Sequence, residues 1–95
     1  MNPEAFRFRL FVAGDTQNSI AARANLNALC RTHLQDRHEI EVVDILLEPK
    51  RALTDGVFMT PTLLKVAPGP VCKIVGTLSN ELTVLQAIGM QTAAA

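Results

Sequence analysis

Four side chains in the sequence carry the thiol or imidazole groups that nucleophilic, redox and metal-binding sites use. Cys30 and Cys72 are far apart and lack the CxxC spacing of a redox pair, so we interpret them as small hydrophobes, with a disulfide as the alternative. His33 and His38 lie near a predicted helix end, where the helix dipole favours histidine. A metal ion needs three or four convergent ligands, which this spacing does not supply. The sequence therefore predicts no catalytic residue, no metal site and no cofactor.

Length and composition indicate what kind of domain contains these residues. A chain of 95 residues allows one domain, 1–95, with one hydrophobic core, and we expect 90–95 to fray. Because 48% of the residues are hydrophobic and 19% are charged, the chain is typical of a globular domain rather than a disordered segment.

Charge balance and the N-terminal segment bear on partners and location. Nine basic and nine acidic residues leave no basic excess, which argues against a nucleic-acid partner and favours a homo-oligomer. The segment MNPEAFRFRL does not resemble a secretory signal, and no apolar run reaches membrane-spanning length. We therefore expect a cytoplasmic protein without a membrane partner.

The first half of the chain has the pattern of a strand-helix-strand unit, which implies a parallel pair of strands. Alternating apolar residues predict the first strand: Phe6, Phe8, Leu10 and Val12. Short oxygen side chains at 14–19 can cap a following helix. The predicted inner face of that helix contains Ile20, Leu26, Leu29, Cys30 and Leu34. A second apolar strand follows at 39–47, and we expect Asp44 within it to accept hydrogen bonds from nearby backbone groups, with a role in an interface as the alternative.

The second half has the pattern of a short helix, a hairpin and a last helix. The short helix begins at Pro49 and ends at Gly56. Strands at 62–67 and 71–75 flank a predicted type II turn at Pro68-Gly69, and the hairpin should be wide because Pro70 has no N–H to close it. We expect the last helix to have Ser79 as its N-cap and this inner face: Leu78, Leu82, Leu85 and Ile88.

The proline of Thr60-Pro61 stands directly before a predicted strand. At the first residue of a strand, a proline removes no central ladder bond, and the X-Pro bond can be cis at little cost. The order βαβαββα with Thr-Pro ahead of the third strand resembles the thioredoxin fold, an α/β fold with a mixed four-stranded sheet and a cis-proline at this position. Thioredoxins carry a reactive CxxC after the first strand, whereas here the loop AGDTQNS contains no cysteine. The resemblance therefore implies this fold without thiol-disulfide exchange.

Four segments, in their order along the chain, resemble the KaiB family over residues 8–88: LFVAGDTQNSIAARANLNAL, VVDILLEP, TPTLLKV and IVGTLSNELTVL. The resemblance implies a non-enzymatic regulator that docks on a KaiC-type ATPase in a circadian-clock-like or stress-signalling system. It also implies a metamorphic chain, thioredoxin-like in one state and βαββααβ, usually tetrameric, in the other. The expected free form is a dimer or tetramer.

The family resemblance also implies which residues meet the partner, since members contact KaiC near the end of the second strand, the second helix and the third strand. The corresponding candidates here are Glu48, Pro49, Lys50 and Lys65. A solvated charged surface is the alternative for the same residues. The chain lacks the acidic tail of most members and departs from their commonly basic residues at Ala21, Glu41, Gly56 and Cys72.

Two other functions fit parts of the same pattern. Glutathione transferases share a thioredoxin-like domain, and Ser79 at a helix start could hold a carboxylate of glutathione, although the chain has no room for their second, helical domain. The sensor modules of SasA-type histidine kinases are similar to KaiB but precede a kinase in one chain. We expect this chain to act in trans.

Overall fold

The structure, a computed structural model, describes residues 5–90 and has the predicted element order βαβαββα. The elements are β1 (Phe6–Val12), α1 (Gln17–His33), β2 (His38–Asp44), α2 (Pro49–Thr54), β3 (Thr62–Ala67), β4 (Cys72–Val75) and α3 (Glu81–Ala87). Of the segment expected to fray, Met90 packs against the core, and 91–95 lie outside the described residues.

The four strands form one mixed sheet in the order β2-β1-β3-β4. The β1 and β2 strands are parallel, with Phe6 opposite His38 and Val12 opposite Asp44, as a strand-helix-strand unit requires. The other two pairs, β1 with β3 and β3 with β4, are antiparallel. The central strands are therefore β1 and β3, and the edges are β2 and β4.

Side chains alternate across the sheet and form one core cluster on each face. On one face, Phe6, Phe8 and Leu10 of β1 pack with residues of α1 and α3. On the other face, a smaller cluster joins the sheet to α2 and the loop after it: Phe11, Val43, Ala52, Val57 and Leu64. A single short helix therefore covers the second face.

The predicted inner faces of α1 and α3 are each wrong at one residue. Ile20 and Leu82 are exposed, and Ala22 and Val84 are buried instead. In α1, Ala22 precedes Leu26 by one helical turn and lies on the same face, whereas Ile20 lies on the outer side of the helix. In α3, Val84, Leu85 and Ile88 share the buried face, and Leu82 lies outside it.

The loops correct three further predictions. The β2 strand ends at Asp44, so the stretch predicted as strand up to residue 47 is partly a turn. Gly69 does not adopt the positive φ that a type II turn requires, although the hairpin is wide as predicted, since its last ladder pair is Lys65 with Cys72. Thr16 at the start of α1 makes no side-chain cap; its hydroxyl bonds Ser19, which accepts from the Ala13 N–H.

The N-cap of α3 is Asn80 rather than the predicted Ser79. The Asn80 side-chain oxygen accepts from the backbone N–H of Thr83 at 3.1 Å. We expect Asn80→Ala to lower the free energy of unfolding by about 1 kcal/mol, because it leaves that N–H without its cap. Urea denaturation measures the change, and Ser79→Ala is the matched control with an expected change near zero. Equal effects at the two positions would contradict this assignment.

Candidate protein-docking face

Three leucines in the loop after β2 and in α2 are exposed to solvent. The exposed fractions are 68% for Leu46, 79% for Leu47 and 69% for Leu53. Glu48, Pro49 and Lys50, three of the candidate partner-binding residues, lie between them in the chain and are exposed as well. We call residues 46–50 and Leu53 the docking face. Single exposed leucines are common, but three within one short segment, 46–53, are not, and exposed apolar groups of this kind are typical of a protein–protein contact.

Asp44 shapes the loop that carries the first part of the docking face. Its Oδ1 accepts from the backbone N–H groups of Gly14 at 3.1 Å and Leu46 at 2.9 Å. Its backbone carbonyl accepts from Leu47 and Glu48. The prediction that Asp44 accepts from backbone groups is confirmed. These bonds end β2 and turn the chain, which leaves Leu46 and Leu47 outside the sheet.

Removing the Asp44 carboxylate should cost stability, because two backbone N–H groups in a partly buried loop would lose their acceptor. We expect Asp44→Ala to lower the free energy of unfolding by about 1–3 kcal/mol. Asp44→Asn keeps one carbonyl oxygen as an acceptor and should cost less. Chemical denaturation of both variants tests this, and an alanine variant no less stable than the asparagine variant would show that the two bonds contribute little.

A cluster of four charged side chains connects α2 to the sheet; we call Arg9, Glu41, Arg51 and Asp55 the Glu41 cluster. Arg51 donates from both terminal nitrogens to Glu41, at 2.6 and 3.0 Å. Arg9 donates from Nε to Glu41 at 3.0 Å and from Nη1 to Asp55 at 2.7 Å. The hydrogen bonds from Arg51, and next those from Arg9, lower the pKa of Glu41 to about 2. Glu41 is thus ionised at neutral pH.

The lowered pKa of Glu41 implies a pH-dependent contribution to stability. A carboxylate whose folded-state pKa is depressed stabilises the fold above its unfolded pKa, near 4.5, and loses that contribution as the pH falls towards 2. The difference in unfolding free energy between the native chain and Glu41→Gln should therefore shrink across this window. Since Glu41 is half exposed, we expect a difference of about 1 kcal/mol or less at neutral pH. Denaturation at several pH values tests it, and a pH-independent difference would contradict it.

A shallow groove lies beyond the end of α2. Its volume is about 290 Å³, and its lining residues are Gly56, Val57, Phe58, Met59, Thr62, Lys73 and Val75. Phe58 and Met59 are exposed, whereas Pro61 is buried and Thr60 is half-buried. The Thr60–Pro61 peptide bond is cis, as are those before Pro68 and Pro70. Thr60 and Pro61 therefore lie between two groups of residues that line the groove, Met59 before them and Thr62 after them in the chain.

Lys65 differs from the other candidate partner-binding residues because it is buried, with 4% of its surface exposed. Its ammonium donates to the carbonyl of Ile88 at 2.8 Å and lies 5.8 Å from the centre of the Phe6 ring. The structure therefore corrects its grouping with Glu48, Pro49 and Lys50. Lys65 faces the opposite side of the sheet and stabilises the C-terminal end of α3.

Within residues 5–90, the two thiols and two imidazoles singled out in the sequence are buried or packed against the core, or they have hydrogen-bond partners. Burial raises the pKa of the Cys30 thiol to about 11, so it is protonated at neutral pH, and both cysteines are free. His33 lies 2.9 Å from Glu81, and His38 lies 2.7 Å from the carbonyl of Leu34. Among residues 5–90, no three histidine, cysteine or carboxylate side chains are arranged to hold a metal ion. In the same part of the chain, no helix has the length and apolarity to cross a membrane.

Comparison with solved structures identifies the fold as thioredoxin-like. The N-terminal domain of Synechococcus elongatus SasA superposes with a TM-score of 0.74 at 19% identity, over 100% of this chain and 93% of that domain. Oxidised mitochondrial thioredoxin 3 from Saccharomyces cerevisiae gives 0.71 at 18% identity, over 92% and 79%. The fold and the docking face thus define a thioredoxin-like protein whose first loop lacks the dithiol.

Sequence comparison gives the family within this class. The KaiB domain model matches residues 9–90. The circadian clock oscillator protein KaiB of Acaryochloris marina is 42% identical over 82 residues, covering 86% of this chain and 79% of its own length. The circadian clock protein KaiB3 of Synechocystis sp. is 38% identical over 77 residues, covering 81% and 76%. The chain belongs to the KaiB family.

Proposed function

We propose that this protein is a non-enzymatic regulator that docks on a KaiC-type ATPase in a circadian-clock-like or stress-signalling system. The observation that carries the proposal is the docking face, an exposed apolar surface on a scaffold whose family is KaiB. Relatives that share about two fifths of its residues are named circadian clock oscillator proteins, which supports a clock role.

The composition of the docking face suits a specific protein partner. Leucines supply apolar area that a partner can remove from water, and the charged side chains of Glu48 and Lys50 lie beside them. Interfaces between proteins have this arrangement, with an apolar centre and a polar rim. The ATPase surface that meets this face should therefore be apolar at its centre, with charges of both signs around it.

The non-enzymatic part of the proposal is supported by the state of the reactive groups. The only deeply buried thiol, within the described residues, is Cys30, and its raised pKa disfavours the thiolate. Thr16 and Ser19 follow β1, where thioredoxins carry their reactive cysteines, and the Thr16 hydroxyl donates a hydrogen bond to the Ser19 hydroxyl. The glutathione alternative depends on Ser79 at the start of α3. Ser79 is exposed, and the residue that caps α3 is Asn80, so no contact within residues 5–90 specifically favours glutathione binding.

Co-elution in size-exclusion chromatography tests the docking proposal. The chain is mixed with a purified KaiC-type ATPase in separate runs with ATP and with ADP, because the proposed partner is an ATPase and can be loaded with either nucleotide. We expect a complex in at least one nucleotide state. Separate elution under every nucleotide condition would remove the proposal. Light scattering on the free chain in the same runs tests the proposed homo-oligomer, for which a dimer or tetramer is expected.

A further inference from the structure

The α2 helix faces the sheet with its arginine and faces solvent with its leucine. Arg51 reaches Glu41 of β2, while Leu53, two residues later, is among the most exposed apolar side chains of the described chain. A surface helix ordinarily buries its large apolar residues and exposes its charges. The orientation of α2 is therefore the reverse of the one that burial of Leu53 would favour.

Apolar packing alone holds α2 weakly. The helix has six residues, of which Ala52 is the buried one, and the next buried contact comes from Val57 after the helix has ended. An isolated helix of this length is unstable in water, and alanine buries little apolar surface. Another interaction must select the orientation that keeps Leu53 outside.

The Glu41 cluster supplies that interaction at two points along α2. Arg51, within the helix, binds Glu41 with two hydrogen bonds, and Asp55, at its C-cap, binds Arg9. Arg9 and Glu41 belong to neighbouring parallel strands and are hydrogen-bonded to each other. The contacts of Arg51 and Asp55 are therefore both made to the same part of the sheet. Two attachment points on one rigid sheet restrict rotation of the helix about its axis.

We infer that Glu41 is a positioning residue for partner binding, which holds α2 in the orientation that presents Leu53 on the docking face. The inference rests on the proposed function for the identity of the partner. It does not rest on it for the effect of Glu41 on α2, which can be measured in the free protein.

A second cross-strand ion pair between β1 and β2 provides a matched control for Glu41→Gln. Arg7 and Glu39 are cross-strand partners like Arg9 and Glu41, but they lie 3.7 Å apart, with side-chain exposures of 61% and 73%. The contacts of Glu41 extend to Arg51 of α2, whereas the ion pair of Glu39 is with Arg7. Glu39→Gln removes the same charge from the same face as Glu41→Gln.

Affinity for the KaiC-type ATPase, measured by titration in the nucleotide state that gives the complex, is the first readout. We expect Glu41→Gln to weaken binding by about two- to fivefold, the range for losing a partly exposed network of charged hydrogen bonds. Glu39→Gln should bind like the native chain. Equal affinities for the two variants would overturn the inference.

A double-variant cycle distinguishes positioning from a general structural effect. If Glu41 acts through Leu53, then Glu41→Gln should weaken binding little further once Leu53→Ala is present. Independent, additive losses would show that Glu41 affects binding by another route, and the inference would fall.

Amide hydrogen exchange in the free protein is the readout that needs no partner. In Glu41→Gln, amides of residues 51–57 should exchange faster than in Glu39→Gln, while those of β1 keep their protection. Unchanged exchange at 51–57, or an equal loss of protection in β1, would overturn the inference. If the native chain does not bind the ATPase at all, the proposed function fails, and this comparison still decides whether Glu41 orients α2.

Discussion

Leu53→Asp is expected to weaken binding to the KaiC-type ATPase by about 30-fold or more. The few side chains that dominate an interface each cost about 2 kcal/mol or more of binding free energy when they are truncated, and we expect Leu53 to be one of them. Aspartate removes the apolar contact and also places a charge in a surface that must lose water on docking. Leu53 is 69% exposed in the free protein, so the substitution should lower the free energy of unfolding by no more than about 1 kcal/mol, mainly because aspartate is unfavourable in the last turn of a helix. Titration with the ATPase and urea denaturation together measure the two effects.

Leu82→Asp provides the matched control for this result. Leu82 is also an exposed leucine on a short helix, but α3 packs on the other face of the sheet from α2. Affinity should therefore stay at the native level in the Leu82 variant. A comparable loss of affinity from both substitutions would mean that the partner does not select the docking face.

Phe11→Ala is expected to lower the free energy of unfolding by about 3–5 kcal/mol, the cost of deleting a fully buried aromatic ring. Phe11 is completely buried in β1 and is the largest side chain of the cluster under α2. A domain of this size has a total stability of about 5–15 kcal/mol, so the variant should unfold at a much lower urea concentration. Circular dichroism during urea titration is the measurement.

Phe58→Ala removes the same ring from a position that is 83% exposed. Its unfolding free energy should stay within about 0.5 kcal/mol of the native value, since the ring is already in contact with water. If both phenylalanine variants lost similar stability, the placement of Phe11 inside the second core cluster would be wrong.

The two faces of the sheet differ in how much apolar surface they bury and how much they expose. The face under α1 and α3 carries the larger core cluster, which includes Phe6, Phe8 and Leu10. The face under α2 has a small cluster of buried residues. The exposed Leu53 of α2 and the groove belong to this side of the sheet. A short helix with little buried area is suited to present a surface, provided that polar contacts to the sheet keep its orientation.

The element order and most strand positions could be predicted from the sequence because they depend on local patterns. The bounds of β3 match the prediction, since Pro61 and Pro68 limit that strand on both sides. The acceptor role of Asp44 was also predictable, because a carboxylate inside an apolar stretch must find hydrogen-bond donors. Three of the candidate contact residues, Glu48, Pro49 and Lys50, are exposed for an equally local reason, as they begin a short polar helix.

The tertiary structure alone decided which way the helices and long side chains face. Lys65 resembled a surface charge in the sequence, yet it is buried because the carbonyl of Ile88, far along the chain, accepts from its ammonium. Leu53 is a large apolar residue of a short helix, yet it is exposed because Arg51 and Asp55 bind Glu41 and Arg9 on the sheet. These contacts join residues of separate elements, so their geometry exists only once the sheet has formed. Local patterns determine which elements form, and contacts between elements determine which surface they present.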